Sequence, residues 1–198
     1  MAYTSELPQF LLALDTETSG VNKGPGDPST GHQIVSYGAL IIDSQTFEIV
    51  DELYVEIQHD SKFGWNAEAE AVHGLSKEHL AANGVTLEEG AVLLLGFISK
   101  WMGQGMSVVG VGHRFHFDQY FVNSMLNEAG CELWWDRVVI DTAAIGGAFI
   151  NVTGSNFLFE AVGLPARTLH NSLEDIKMTV AALKFLKNIF ISGLENTA

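Results

Sequence analysis

Cationic residues and cysteine are both scarce in this chain. Its 198 residues hold 10 Lys+Arg against 24 Asp+Glu, a net charge of -14, so the surface as a whole repels phosphate and cannot grip long duplex by releasing counterions. A histone-like or membrane-surface role is a poor fit. A single cysteine, Cys131, cannot close an intramolecular disulfide, and the opening MAYTSELPQF lacks the charged and apolar regions of a signal peptide. Both point to a reducing, cytoplasmic setting. No uninterrupted apolar run reaches bilayer length, so no membrane role is expected. Internal repeats, low-complexity tracts and a linker that would divide the chain are also missing. What is present, 47% hydrophobic against 17% charged residues, excludes disorder and suffices for a sizeable core, most simply in one domain.

The acids are unevenly placed: residues 1–90 carry 15 Asp/Glu and 3 Lys/Arg, whereas residues 91–198 carry 9 and 7. An anionic ligand should favour the second half, or be drawn by metal held on the first. Residues 10–15 (FLLALD) are a short apolar run stopped by residues 16–20 and predict a buried strand. A loop rich in Gly, Pro, Asn, Asp and Ser covers residues 21–31; β-rich segments 34–42 and 47–57 follow, joined as an antiparallel hairpin by Asp43-Ser44-Gln45-Thr46. Thr86-Leu87-Glu88-Glu89 has capping-box spacing, and Val92, Leu95, Ile98 and Met102 recur behind it, so a helix should run to the Gly103/Gly105 pair. Residues 107–111 predict a buried strand, 119–128 a helix stopped by Gly130, and 138–141 a further strand, which makes the alternation βαβ. Leu169, Leu173, Ile176, Val180, Leu183, Leu186 and Phe190 form a stripe at steps of three or four, with Glu174, Lys177, Lys184 and Asn188 opposite. That pattern is a long amphipathic helix packed on a sheet.

Asp15 and Glu17 stand two apart at the end of the first strand, where alternation points both carboxylates the same way, and paired carboxylates attract a hard divalent cation. A solvated strand end is the alternative. Asp118 falls at a strand-to-helix turn, where the helix dipole welcomes a carboxylate as a simple N-cap or as part of a site. His170 lies just before the final helix. Asp175 stands within that helix beside the apolar stripe rather than on its solvent face, where a carboxylate is costly without a partner; the alternative is a helix-start Asp with a surface His. His113 precedes Asp118 by the same five residues, so that spacing is weak by itself. Together the four acids can converge at one end of the sheet.

At these positions the sequence resembles the DEDD superfamily of 3′ to 5′ exonucleases, in the His-containing branch (DEDDh) that includes the proofreading subunit of bacterial DNA polymerase III, ribonuclease T and oligoribonuclease. The first motif reads Leu14-Asp15-Thr16-Glu17-Thr18-Ser19-Gly20, and Gly31-His32-Gln33-Ile34-Val35-Ser36-Tyr37-Gly38-Ala39 is similar to the proofreading subunit's second strand. The second motif is His113-Arg114-Phe115-His116-Phe117-Asp118 and the third His170-Asn171-Ser172-Leu173-Glu174-Asp175. Val72-His73-Gly74-Leu75 and Val139-Ile140-Asp141-Thr142 are supporting matches. The resemblance spans roughly residues 10–188, and three ordered motifs in fitting contexts are far more specific than one. It departs at Ser36, where an acidic residue is common, and at Arg114 and His116, where small or amide residues are usual.

The resemblance implies a ribonuclease H-like α/β fold: a mixed sheet of three antiparallel strands continued by parallel ones and flanked by helices. It implies one exonuclease domain in which Asp15, Glu17, Asp118 and Asp175 bind two Mg²⁺ or Mn²⁺ ions and His170 takes the proton from the attacking water. Two ions roughly 3.5–4 Å apart would activate water and stabilise charge on the leaving oxygen, and oxygen-only ligands select such hard ions over zinc. Thr18 would offer its backbone amide to the terminal sugar, with His73 and Phe117 in the nucleotide pocket; a buried structural histidine is the alternative for His73. The expected substrates are single-stranded 3′ ends, DNA first and RNA as the alternative. A DNA polymerase and a second copy of the chain are candidate partners. Lys177, Lys184 and Lys187 read as a solvated helix face, or else as a modest basic path.

Three other readings fit less well. An EF-hand loop starting at Asp15 would need Glu where Gly26 stands, and no Gly-x-x-x-x-Gly-Lys occurs for a kinase or GTPase. An exonuclease-like scaffold that binds a polymerase without catalysis would have no need of all five active-site residues.

Overall fold

A computed structural model describes residues 6–103 and 107–195. Strands β1 (Phe10–Thr18), β2 (Ile34–Asp43), β3 (Ile49–Glu56), β4 (Val108–Gly112) and β5 (Trp135–Asp141) form one sheet in the order β3-β2-β1-β4-β5. The first three pair antiparallel, β4 runs parallel to β1, and β5 runs parallel to β4. With helices on its flanks, this is the ribonuclease H-like arrangement expected above.

Central β1 is apolar on both faces because helices cover both, and alternation sorts its side chains. Leu12 and Leu14 join the core under α3 (Leu87–Met102) and α4 (His116–Glu128), while Leu11 and Ala13 join the core under α7 (Ser172–Glu195). By the same alternation Asp15 and Glu17 belong to the α7 face, and Thr16 to the α3/α4 face. In the β1–β2 register Asp15 lies opposite Gly38, and Glu17 opposite Ser36. A Cβ at Gly38 would lie 2.4 Å from the Leu173 backbone, so glycine lets the first turn of α7 rest directly on β2 beside both acids. Ser36 meets Ser172 in the same contact, Oγ to Oγ 3.1 Å.

Several boundaries differ from expectation for physical reasons. β1 continues past its apolar run to Thr18 because its pairing with β2 continues, with Glu17 opposite Ser36. β3 begins at Ile49, since Phe47 sits in the hairpin turn at φ 56°. α4 and β5 each begin three residues before the predicted starts, at His116 and Trp135. Helices α1 (Ala67–His73), α2 (Lys77–Asn83), α5 (Thr142–Ile150) and α6 (Ser155–Ala161) are too short for a periodic stripe and were not foreseen. The capping box of α3 is as predicted: the Thr86 hydroxyl accepts the Glu89 N–H at 3.2 Å and the Glu89 carboxylate accepts the Thr86 N–H at 2.9 Å. Gly103 ends that helix at φ 74°, and Gly105 lies outside the described residues.

α7 uses more than one stripe. Ile176, Val180 and Leu183 pack on the sheet, whereas Ala182, Met178 and Leu186 pack on Leu158 and Phe159 of α6. Its lysines form no basic path. Lys177 pairs with Glu52 at 3.1 Å and Glu174 at 3.3 Å, Lys184 pairs with Glu48, and Lys187 donates to the Gln45 carbonyl with its ammonium over Phe47. They pin the helix to the β2–β3 hairpin. Among the described residues no helix is long and apolar enough to cross a membrane.

Candidate active site

β1 is the strand at which the sheet changes from antiparallel to parallel pairing, and crevices at such switch points lie at the carboxyl ends of strands. Asp15 and Glu17 stand at that end of β1. Asp118 arrives from the opposite face, as the third residue of α4. It is not an N-cap, a position held by Phe115 with no side-chain cap bond. Its Oδ1 instead accepts the Thr16 backbone N–H at 2.9 Å and the Thr16 hydroxyl at 2.8 Å. The turn into α4 passes through Arg114 at φ 59°, and Asp141 holds it by accepting the N–H groups of Arg114 at 3.0 Å and Phe115 at 3.1 Å. Asp141 also caps α5 through the Ala143 N–H at 2.8 Å, so the end of β5 aims the start of α4.

On the α7 face, Asn171 caps the helix by accepting the Leu173 and Glu174 N–H groups, each at 3.1 Å. The Asp175 N–H makes the first helical bond, to the Asn171 carbonyl at 2.8 Å, and the His170 N–H reaches back to the Val72 carbonyl on α1 at 3.0 Å. Asp175 is therefore fixed in the first turn, over the end of β1. Ligand atoms of Glu17, His170 and Asp175 lie within 4.8 Å of one another. Asp15, Glu17, Asp118, His170 and Asp175 all line one cavity of about 350 Å³. All five residues singled out in the sequence thus meet at a single place.

The expected substrate-binding residues line it as well: Thr18, His73 and Phe117. Phe117 packs on Phe121, ring centroids 4.9 Å apart. His73 is buried; its Nδ1 accepts the Leu75 N–H at 3.0 Å, which puts the proton on Nε2, on the side of the Thr18 backbone. His113 lines the same cavity but is committed elsewhere. Its Nε2 faces the Thr153 carbonyl at 3.1 Å and must carry a proton to bond it, and its Nδ1 faces the Thr142 hydroxyl at 3.0 Å.

Crowding four carboxylates in a sheltered pocket raises their affinity for protons. Burial first, then the charges of Asp118, Glu17 and Asp175, pushes Asp15 well above the usual carboxylate range. Burial, with Asp175 and Asp118, pushes Glu17 up to about 8. Asp118 is pushed up to about 7 by burial, against the lowering effect of its two bonds from Thr16. Asp175 is raised by burial and opposed by Arg167 and His170. His170 is held below its ordinary value by burial and by Arg167.

Arg167, which sequence reasoning passed over, is the cation that relieves this field. Its guanidinium lies 2.7 Å from Asp175 Oδ2, and His170 Nδ1 lies 3.3 Å from the same oxygen. Asp175 Oδ2 is thus enclosed, with Arg167 as its charged partner. A buried carboxylate among three further acids is a donor set suited to a divalent cation with oxygen ligands.

Acids crowded at the switch point of a ribonuclease H-like sheet form a cluster that could hold a divalent cation. The comparisons agree. A family model described as exonuclease (RNase_T) matches residues 12–183, so the chain belongs to that exonuclease family. Among solved structures it is similar to the zinc-bound form of the E. coli exonuclease I complex with ssDNA, at 14% identity and a TM-score of 0.76, over 92% of this chain and 41% of that one. It is also similar to the nuclease domain of 3'hExo, a DEDDh family member, bound to rAMP, at 14% identity and a TM-score of 0.71, over 91% of this chain and 92% of that one. The chain thus spans less than half the length of exonuclease I. At this identity the likeness establishes the fold. A sequence search of curated proteins gives no significant match.

Proposed function

We propose that the protein hydrolyses the terminal phosphodiester of single-stranded nucleic acid from the 3′ end and releases nucleoside 5′-monophosphates, with DNA as the first substrate and RNA as the second. The observation that carries this reading is the meeting of Asp15, Glu17, Asp118, Asp175 and His170 around one cavity of about 350 Å³. That volume suits one terminal nucleotide better than a duplex. The solved neighbours are bound to ssDNA in one case and to rAMP in the other, which keeps both polymers in play.

In this reading Asp15, Glu17, Asp118 and Asp175 hold two divalent ions, Mg²⁺ or Mn²⁺, which when bound would supply the Lewis acidity for water activation and for charge on the leaving oxygen. His170, with a partly open ring whose side chain is 37% exposed, takes the proton of the attacking water. Burial and Arg167 keep it neutral, the form a base requires. Asp175 Oδ2 lies 3.3 Å from its Nδ1. Thr18 offers its backbone amide to the terminal sugar, His73 offers its Nε2–H, and Phe117 supplies an apolar wall for the base.

The test is degradation of 3′- and 5′-labelled DNA and RNA single strands, with Mn²⁺ and with chelator. Mononucleotide release from the 3′ end only with metal, abolished in Asp15→Ala, is expected. Chelator-resistant hydrolysis, or parent rates from Asp15→Ala, would overturn the reading.

A further inference from the structure

We infer that Arg167 is a resident counter-ion of Asp175, and that a divalent ion entering the acidic cluster must displace it from Oδ2 or share that oxygen with it, so that this arginine sets the metal affinity of the site. The inference rests on the metal-dependent reading above and adds a residue that neither the motifs nor the family match single out.

The guanidinium is held asymmetrically. Its Nε donates to Asn156 Oδ1 at 3.0 Å, and its NH2 donates to the same oxygen at 2.7 Å and to Ser155 Oγ at 2.7 Å. Its carbon lies 5.0 Å from the centroid of the Phe159 ring. One edge of the fork is therefore spent on α6, and the free NH1 edge faces the acids. Arg167 and Asp175 are almost wholly enclosed, their side chains 8% and 4% exposed.

Such burial makes the pairing consequential. A carboxylate shut away from water without a partner costs far more than a surface one, and arginine does not shed its proton to relieve the contact. The 2.7 Å approach of NH1 to Oδ2 is a charge–charge contact at a single oxygen, the arginine's other edge being anchored on α6, so another cation at that oxygen competes with it directly. A carboxylate oxygen of Asp175 lies within 4.8 Å of ligand atoms of Glu17 and His170, and Oδ2 itself is 3.3 Å from His170 Nδ1. Two cations at one oxygen repel each other, so what the arginine contributes to an assembled, metal-free site it subtracts from metal affinity.

Calorimetric titration of Mn²⁺ into the full chain tests this with no activity readout. Removing a competing cation should tighten binding by a typical coupling factor, at least about fivefold, in Arg167→Met, while the same variant melts at a lower temperature without metal. Arg167→Lys, which keeps the charge, should stay close to the parent. Equal or weaker Mn²⁺ binding by folded Arg167→Met overturns the inference. Should that variant fail to fold, Asn156→Ala loosens the anchored edge while keeping the arginine; tighter Mn²⁺ binding supports the proposal and unchanged binding overturns it. If the parent binds no Mn²⁺, or Asp175→Asn binds it as the parent does, the metal reading itself fails. A parent that binds beside an Asp175→Asn variant that does not confines any failure to the arginine.

Discussion

A single oxygen of Asp118, Oδ1, accepts both the backbone N–H and the hydroxyl of Thr16, at 2.9 and 2.8 Å. The two bonds tie α4 to the centre of the sheet and leave Oδ2 of the same carboxylate unused by Thr16. Thr16→Val keeps the shape and the N–H bond but removes the hydroxyl. It should cost about 1 kcal/mol of stability, the net worth of one buried hydrogen bond, and slow turnover because Asp118 gains freedom to rotate. Denaturant unfolding and single-strand degradation measure the two effects, and parent turnover from Thr16→Val would show that this bond does not position the carboxylate. Thr16→Ser should behave as the parent.

The cluster also sets a pH dependence. Glu17 rises from an ordinary value of 4.5 to about 8 and Asp118 from 3.8 to about 7, so the folded chain holds these protons more tightly than the unfolded chain. Their stabilising contribution is complete below the unfolded values and is lost as pH rises through the folded ones. The metal-free protein should therefore lose stability from about pH 4 to about pH 8. Divalent ions need the ionised form, so the rise in melting temperature on adding Mn²⁺ should be larger at the upper end of this window than at the lower. Melts in chelator and in Mn²⁺ across the window check it; a metal effect that shrinks with pH would contradict the assignment of these carboxylates as ligands.

His170 and His113 separate a base from a brace. Both line the cavity and both precede an acid by five residues, but both ring nitrogens of His113 face partners, Thr142 and Thr153. His170→Ala should lower turnover by a factor on the order of 10² to 10⁴, the usual effect of losing a general base, with Mn²⁺ binding retained in part through the carboxylates. His113→Ala should chiefly lower the melting temperature. A greater catalytic loss in His113→Ala would reverse the two assignments.

How far these features were legible in the sequence depends on the range of the interaction that makes them. Period-two spacing placed Asp15 and Glu17 on one face, and the capping box placed the start of α3, because both are local rules of the backbone. The place of Asp175 beside the buried stripe was legible for the same reason. Asp118 looked like an N-cap because nothing local shows that Thr16, far away in the chain, donates to it. Arg167 stands in Leu164-Pro165-Ala166-Arg167-Thr168, a loop without periodicity, and acquires its role only when α6 and α7 close around it. The lysines of α7 read as a solvated face since their partners Glu48 and Glu52 come from the distant β2–β3 hairpin. Short helices such as α1 carried end signals that could have been used: Asn66 caps it through the Glu68 N–H and Gly74 ends it at φ 74°.

Gly38 links fold to site more directly than any acid does. A Cβ there would lie 2.4 Å from the backbone N and Cα of Leu173, and backbone cannot step aside as a flexible side chain can. Gly38→Ala must therefore lift the first turn of α7 off β2, carrying His170 and Asp175 away from Asp15 and Glu17. Overpacking of this kind costs about 1–3 kcal/mol, and the displacement should lower turnover and weaken Mn²⁺ binding together. The control is Gly96→Ala in the interior of α3, where a Cβ would meet nothing within 4 Å. Relief of glycine's poor helix propensity should there raise stability by about 1 kcal/mol with activity unchanged. Thermal melts, Mn²⁺ titration and single-strand degradation of both variants distinguish a general sensitivity to added bulk from a specific one. If Gly38→Ala keeps the parent's metal affinity and turnover, the seat of α7 on β2 is not what holds the two halves of the site together.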